Sequence, residues 1–91
     1  MKIKVNFFAS FKEIFQATEV QIKLKIGANI RDLLNLLCDS YGFREKIFDN
    51  SKLRPYVMIT KNGRHIQHLN GLETALAEDD KVTIFPAVAG G

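Results

Sequence analysis

The chain ends in Gly90-Gly91, behind a run of small residues, Ala87-Val88-Ala89. A diglycine at a free carboxyl end has few uses other than chemistry on that carboxylate. Glycine has no Cβ, so the backbone there approaches another surface closely. A terminus without side chains enters a slot that excludes any other dipeptide. The bland alternative is a frayed end, because termini are commonly small and disordered. Two terminal glycines arise by chance in roughly half a percent of chains at a usage of about 7% each, so the remaining residues must decide.

Other residues capable of chemistry carry less. Cys38 is the single cysteine, which rules out an intramolecular disulfide and a cysteine-based zinc set. It falls on the apolar stripe of a predicted helix, where a core thiol is expected over a sulfur relay. His65 and His68 share a predicted strand face, but no Asp, Glu or Cys completes a metal set, so they read as surface histidines. No Ser/His/Asp set, glycine-rich phosphate loop or carboxylate pair stands out. Asn62-Gly63 reads as a turn and nothing more, and Arg44, Lys46, Lys52 and Arg54 as a solvated basic loop.

The elements that must position the terminus follow from periodicity. Lys2 to Phe8 alternates, with Ile3, Val5 and Phe7 inward, as in a half-buried strand. Phe11, Ile14 and Phe15 predict one helical turn folded back on the sheet. Glu19 to Ile26 alternates again, with Val20, Ile22, Leu24 and Ile26 inward. Asn29 is a good N-cap for a helix with apolar Ile30, Leu33, Leu34, Leu37, Cys38 and Tyr41 on one side, closed by Gly42. Phe43, Ile47 and Phe48 suggest a short second helical segment, and Arg54-Pro55 forces extension. Tyr56 to Lys61 and Arg64 to His68 form a hairpin about Asn62-Gly63. Gly71 to Leu76 reads as a turn with a short helix, Glu78-Asp79-Asp80 as an acidic turn, and Lys81 to Phe85 as the last strand, ended by Pro86.

This order predicts an α+β domain, a mixed five-stranded sheet with one main helix across one face. The first and last strands pair in parallel at its centre, the β-grasp arrangement of ubiquitin. Residues 1–86 form the domain and 87–91 a flexible diglycine tail. Its reach is about 17 Å when extended at 3.3–3.6 Å per residue. Phe8 and Phe85 face outward on the paired strands, so their rings should sit side by side at the base of the tail, with Tyr56 and Met58 at the same corner. Exposed aromatics grouped on a polar face mark a contact surface.

Composition excludes several classes. Ninety-one residues make one domain, too small for a deep enclosed active site. The net charge of +3 with dispersed lysines does not point to nucleic acid. No stretch approaches the roughly 18–20 apolar residues that span a bilayer, and the N-terminus lacks an apolar signal region. A reducing cytoplasm is the expected setting.

At this point the sequence resembles a known family, the ubiquitin-like sulfur carriers that serve as the small subunit of molybdopterin synthase (MoaD). The likeness runs through Ile3-Lys4-Val5-Asn6-Phe7-Phe8-Ala9, Asp32-Leu33-Leu34 with Tyr41-Gly42, Asn62-Gly63-Arg64, Gly71-Leu72, Leu76 and Asp80-Lys81-Val82. It ends in Phe85-Pro86-Ala87-Val88-Ala89-Gly90-Gly91, which is the specific part. Asp79 stands where family members often have glycine, and the 43–55 region is longer than in compact members.

The resemblance implies sulfur delivery. A ubiquitin-activating-like adenylyltransferase uses ATP to convert the Gly91 carboxylate to an acyl-adenylate, and a sulfur donor then leaves a thiocarboxylate. The loaded carrier docks on the large subunit of molybdopterin synthase and gives its sulfur to a pterin precursor, toward the dithiolene that binds molybdenum or tungsten. Gly91 bears the sulfur and Gly90 lets it thread. Phe8, Phe85, Met58, Pro86 and Val88 form the expected docking surface, and Glu78-Asp79-Asp80 is a weaker candidate for contact with the activating enzyme. No cofactor or metal is expected on the chain, and catalytic acids and bases are expected on the partners. Three alternatives stay open: a carrier for thiazole or tRNA thiolation, a modifier that forms isopeptide bonds through Gly91, and an interaction domain with an inert tail.

Overall fold

The computed structural model describes residues 1–87. Its elements are β1 (Lys2–Phe7), α1 (Ser10–Phe15), β2 (Glu19–Lys23), α2 (Ile30–Tyr41), α3 (Arg44–Ile47), β3 (Phe48–Asp49), β4 (Lys52–Leu53), β5 (Val57–Lys61), β6 (Arg64–His65) and β7 (Lys81–Pro86). Two 3₁₀ turns, Ile66–His68 and Gly71–Glu73, lie between β6 and β7. The main sheet has the order β2-β1-β7-β5-β6, and β3 pairs with β4 in a separate hairpin. β1 runs parallel to β7 at the centre, and the other pairings are antiparallel. This is the β-grasp, ubiquitin-like fold, with the mixed five-stranded sheet and main helix expected from the alternation.

The inward residues of the two central strands, Ile3, Val5, Phe7, Val82 and Ile84, are fully buried. Against them α2 lays Ile30, Leu33, Leu34, Leu37 and Cys38. Each such aliphatic side chain contributes about 1.5–3 kcal/mol gross. The helix starts where its sequence says it should. Asn29 Oδ1 accepts from the Asp32 N–H at 2.9 Å, and Asp32 Oδ2 accepts from the Asn29 N–H at 3.0 Å. This reciprocal capping box satisfies donors that a helix end otherwise leaves open.

Aromatic packing explains why α1 folds back. Phe11 and Phe15 are buried, and the Phe15 ring stacks on Phe7 with centroids 4.5 Å apart. Tyr41, expected on the buried stripe of α2, is 41% exposed. It meets Phe15 edge-on at 5.8 Å, at the rim of the core rather than in it.

Three other expectations are corrected. The second strand stops at Lys23, and the Ala28 N–H donates to Lys25 O at 3.1 Å in a turn. Ile26, expected inward, is therefore 93% exposed. The return strand of the 57–65 hairpin covers only Arg64–His65, after which Ile66 winds into a 3₁₀ turn and is buried. Finally, Asn62 is more than a turn residue. Its Nδ2 donates to Asp80 Oδ1 at 2.8 Å, and its Oδ1 accepts from the Lys81 N–H at 2.9 Å. Asp80 Oδ2 also accepts from the Ala77 N–H at 2.8 Å. Asp80 is thus a buried structural carboxylate, turned away from the solvent in which the rest of the acidic turn sits.

Candidate functional site

The face of the sheet opposite α2 can be read off the register as rows of side chains. In an antiparallel pair the residues that oppose each other project to the same side, and successive residues alternate. One row runs Glu19–Asn6–Thr83–Thr60–His65 across all five strands. Two residues further toward the exit of β7, Phe85 opposes Met58. Phe8 follows the end of β1 on the same side, and its N–H donates to Ile84 O at 3.1 Å. Phe8 is 53% exposed, while Met58, Phe85 and Pro86 are half-buried.

The register brings Phe8, Met58 and Phe85 to one end of one face, but the rings of Phe8 and Phe85 are not in contact among the described residues. The ring beside Phe85 belongs to His65, edge-on at 5.9 Å, with His68 a further 6.1 Å from His65. The reason lies in the backbone. β1 ends at Phe7 and the chain turns away at Ala9, where φ is 52°, so Phe8 keeps one backbone bond to β7 but has no residue of its own strand beyond it to hold its ring over Phe85. The strand pattern places His65 at the surface, but in the fold it is half-buried. Among the described residues its Nδ1 is buried without a hydrogen-bond partner. The signal for its position was the Asn62-Gly63 turn, which sets Thr60 opposite His65 and so aims the imidazole at this face.

The exit of the chain is held from the neighbouring strand. Pro86 opposes Val57, and the Ala87 N–H donates to Tyr56 O at 2.7 Å. Tyr56 itself is anchored, its ring parallel to that of Phe11 at 6.3 Å and its hydroxyl donating to Lys46 O at 2.8 Å. Residue 87 therefore leaves the sheet beside the Met58–Phe85 pair in a fixed direction. Val88, Gly90 and Gly91 lie outside the described residues.

Nothing in the described residues resembles a catalytic centre. No group of three or more His, Cys, Asp and Glu is placed to hold a metal among them. An open groove of about 440 Å³ lies beside the part of β5 that β6 does not cover, lined by Leu53, Met58, His65, Ile66 and Leu72 among others. Cys38 is buried, and that burial pushes its thiol above the ordinary value of 9.0, with Arg44 pulling it the other way. A thiol held neutral is a poor nucleophile, so the structural role expected for it stands. No helix of the described residues is long and apolar enough to cross a membrane.

The β-grasp order of these elements defines a ubiquitin-like domain. Comparison with known proteins narrows this: the sequence pattern of the ThiS family matches residues 5–91, and the chain belongs to that family. It is 35% identical over 92 residues to small archaeal modifier protein 3 of Haloferax volcanii, covering all of both chains. It is 44% identical over 96 residues to a putative sulfur carrier protein of Archaeoglobus fulgidus, again over all of both. Among solved structures it superposes on a putative molybdopterin converting factor, subunit 1, of Pyrococcus furiosus with a TM-score of 0.79 and 30% identity, over 97% of this chain and 99% of that one.

Proposed function

We propose that this protein is a sulfur carrier that acts as the small subunit of molybdopterin synthase, with the carboxylate of Gly91 as its reactive group. The observation that carries the reading is the family match running through the terminal diglycine, joined to a β7 that exits beside Phe8, Met58 and Phe85.

The chemistry follows from the weakness of a carboxylate as an electrophile. An oxygen of Gly91 attacks the α-phosphorus of ATP in the activating partner and expels pyrophosphate. A persulfide of the sulfur donor then attacks the acyl carbon and expels AMP. A thiol of the donor system resolves the acyl disulfide, leaving the thiocarboxylate. That anionic sulfur attacks the pterin precursor on the large synthase subunit, and Gly91 returns to a carboxylate by hydrolysis. In this cycle the chain supplies no acid or base. Gly90 and Gly91 thread, Val88 and Pro86 line the approach, and Phe8, Met58 and Phe85 dock. A cytoplasmic setting suits the lone buried thiol.

A second reading is favoured by one finding, the full-length similarity to a small archaeal modifier protein. In that case the adenylated Gly91 is transferred to a lysine amine instead.

Intact mass after co-expression with an activating enzyme and a sulfur source separates the two. Replacement of one oxygen by sulfur at Gly91, with copurification of the large pterin-site subunit, supports the carrier. Ladders of heavier conjugates lost on deletion of Gly91 identify a modifier. An unchanged mass under verified activating conditions overturns both.

A further inference from the structure

Residues 44–56 take no part in the cycle above, yet the segment is tied down at its start, its tip and its end. At the start Arg44 donates to Asn35 Oδ1 at 3.0 Å and pairs with Asp39 at 3.2 Å, both on α2. At the tip of the β3–β4 hairpin Arg31, also on α2, donates to Ser51 O at 3.1 Å. At the end Arg54 folds back on the start, its N–H donating to Ile47 O at 2.9 Å and its Nε to Glu45 O. The segment is a closed loop fastened to the main helix.

Core filling accounts for part of this. Ile47 and Phe48 are buried, and the Arg44 guanidinium lies over the Phe48 ring at 5.5 Å. Core filling does not account for Tyr56, which is 41% exposed. Its hydroxyl donates to Lys46 O at 2.8 Å and its ring lies parallel to that of Phe11 at 6.3 Å, so the side chain is braced by α3 and α1 together. Its carbonyl accepts from the Ala87 N–H at 2.7 Å. That bond extends the β5–β7 ladder one step past the Val57–Pro86 pair.

Four residues follow Ala87. Extended, they reach at most about 14 Å at 3.3–3.6 Å each. Tying Ala87 down shortens the tether from five residues to four. Effective concentration falls roughly as the −3/2 power of tether length, so that change is worth only about 1.4-fold. Direction matters more. A misplacement of about 1 Å costs up to about a hundredfold in a positioned reaction, so the heading given at residue 87 decides how often the carboxylate meets ATP.

We propose that Tyr56 is a positioning residue. Braced by the 44–54 segment, its carbonyl holds Ala87 and sets the heading on which Gly91 is presented to the adenylating enzyme. This deepens the carrier reading and rests on it. Phe8, Met58 and Phe85 govern whether the partners meet; Tyr56 governs whether the reacting carboxylate arrives once they have.

The test uses Tyr56→Ala, Tyr56→Phe, Ala87→Pro and the double variant Tyr56→Ala/Ala87→Pro. Hydrogen exchange of the Ala87 amide reads the clamp with no partner present. It should be slowed in wild type and at least about tenfold faster in Tyr56→Ala. Tyr56→Phe, which keeps the ring stack and loses only the Lys46 bond, should fall between. ATP–pyrophosphate exchange by the adenylating enzyme reads the consequence. Tyr56→Ala, and Ala87→Pro, which removes the donor, should each lower kcat about tenfold with KM for the carrier within about twofold of wild type. Both act through one bond, so the double variant should fall no further than the lower single variant. An unchanged kcat in Ala87→Pro, or a KM that rises with kcat intact, overturns the positioning role and leaves the carrier reading standing. No exchange with the wild type overturns the carrier reading and the positioning role with it. If Tyr56→Ala melts early, Ala87→Pro, which leaves Tyr56 and its supports in place, decides alone.

Discussion

Asn62 and Asp80 are joined by a 2.8 Å hydrogen bond that ties the tip of the β5–β6 hairpin to the start of β7. The two lie eighteen residues apart, yet the bond organises both turns. Asn62 supplies the positive φ the hairpin needs and spends its amide on Asp80 and on the Lys81 N–H. Asp80→Ala leaves the Asn62 amide and the Ala77 N–H without their acceptor. It should cost about 2–4 kcal/mol, since bonds to charged acceptors are worth about 1.5–3 kcal/mol each. Asp80→Asn should recover part of that. Urea denaturation checks both, and an Asp80→Ala variant as stable as wild type would show the latch to be idle.

Asp79, next to it, adopts a φ of 67°, a region that glycine enters without a Cβ penalty. Asp79→Gly should therefore be neutral or stabilising by less than about 1 kcal/mol, the relief being offset by a looser unfolded chain. Asp79→Val should destabilise by about 1–2 kcal/mol, because a β-branched residue pays the full left-handed penalty. Thermal melts of the two variants in parallel give the comparison.

Phe8 and Phe85 should separate docking from stability. Phe8→Ala removes a mostly exposed ring and should change stability by no more than about 0.5 kcal/mol. Phe85→Ala also loses the edge contact with His65 and should cost about 1–2 kcal/mol, below the roughly 3–5 kcal/mol of a fully buried ring. Either should weaken binding to the large synthase subunit by about tenfold or more, as anchors at an interface centre do. Titration calorimetry beside melting curves decides: intact binding with a large drop in melting temperature would place Phe85 in the core, not the interface.

One residue appended after Gly91 should abolish thiocarboxylate formation and leave the melting temperature unchanged. The proposed reaction needs the carboxylate at the end of a side-chain-free dipeptide. Mass spectrometry after activation reads the outcome, and an extended chain that still acquires sulfur would refute the proposed chemistry.

Cys38 should make the domain sensitive to alkali. Its folded thiol is held above the unfolded value, so the stability it contributes is complete below about pH 9 and is lost as pH rises through the folded value. Wild type should lose more stability than Cys38→Ala between about pH 8 and pH 10, and the thiol should resist alkylation at neutral pH. Equal losses in the two proteins would remove the link.

The alternation of Ile3-Val5-Phe7 and Val82-Ile84, the Asn29 cap and the Asn62-Gly63 turn were legible because each is a local property. A period of two, a short polar side chain before an apolar stripe, and a residue pair tolerant of positive φ all act within a few positions of themselves. The outward placement of Phe8 and Phe85 was legible for the same reason. Tertiary structure alone decided that Ile26 points to water, because the strand ends where β1 has no further partner to offer. It also decided that Asp80 turns inward to Asn62 and that His65 rather than Phe8 meets Phe85. Those outcomes depend on register between distant strands, which side-chain pattern along a single strand does not encode.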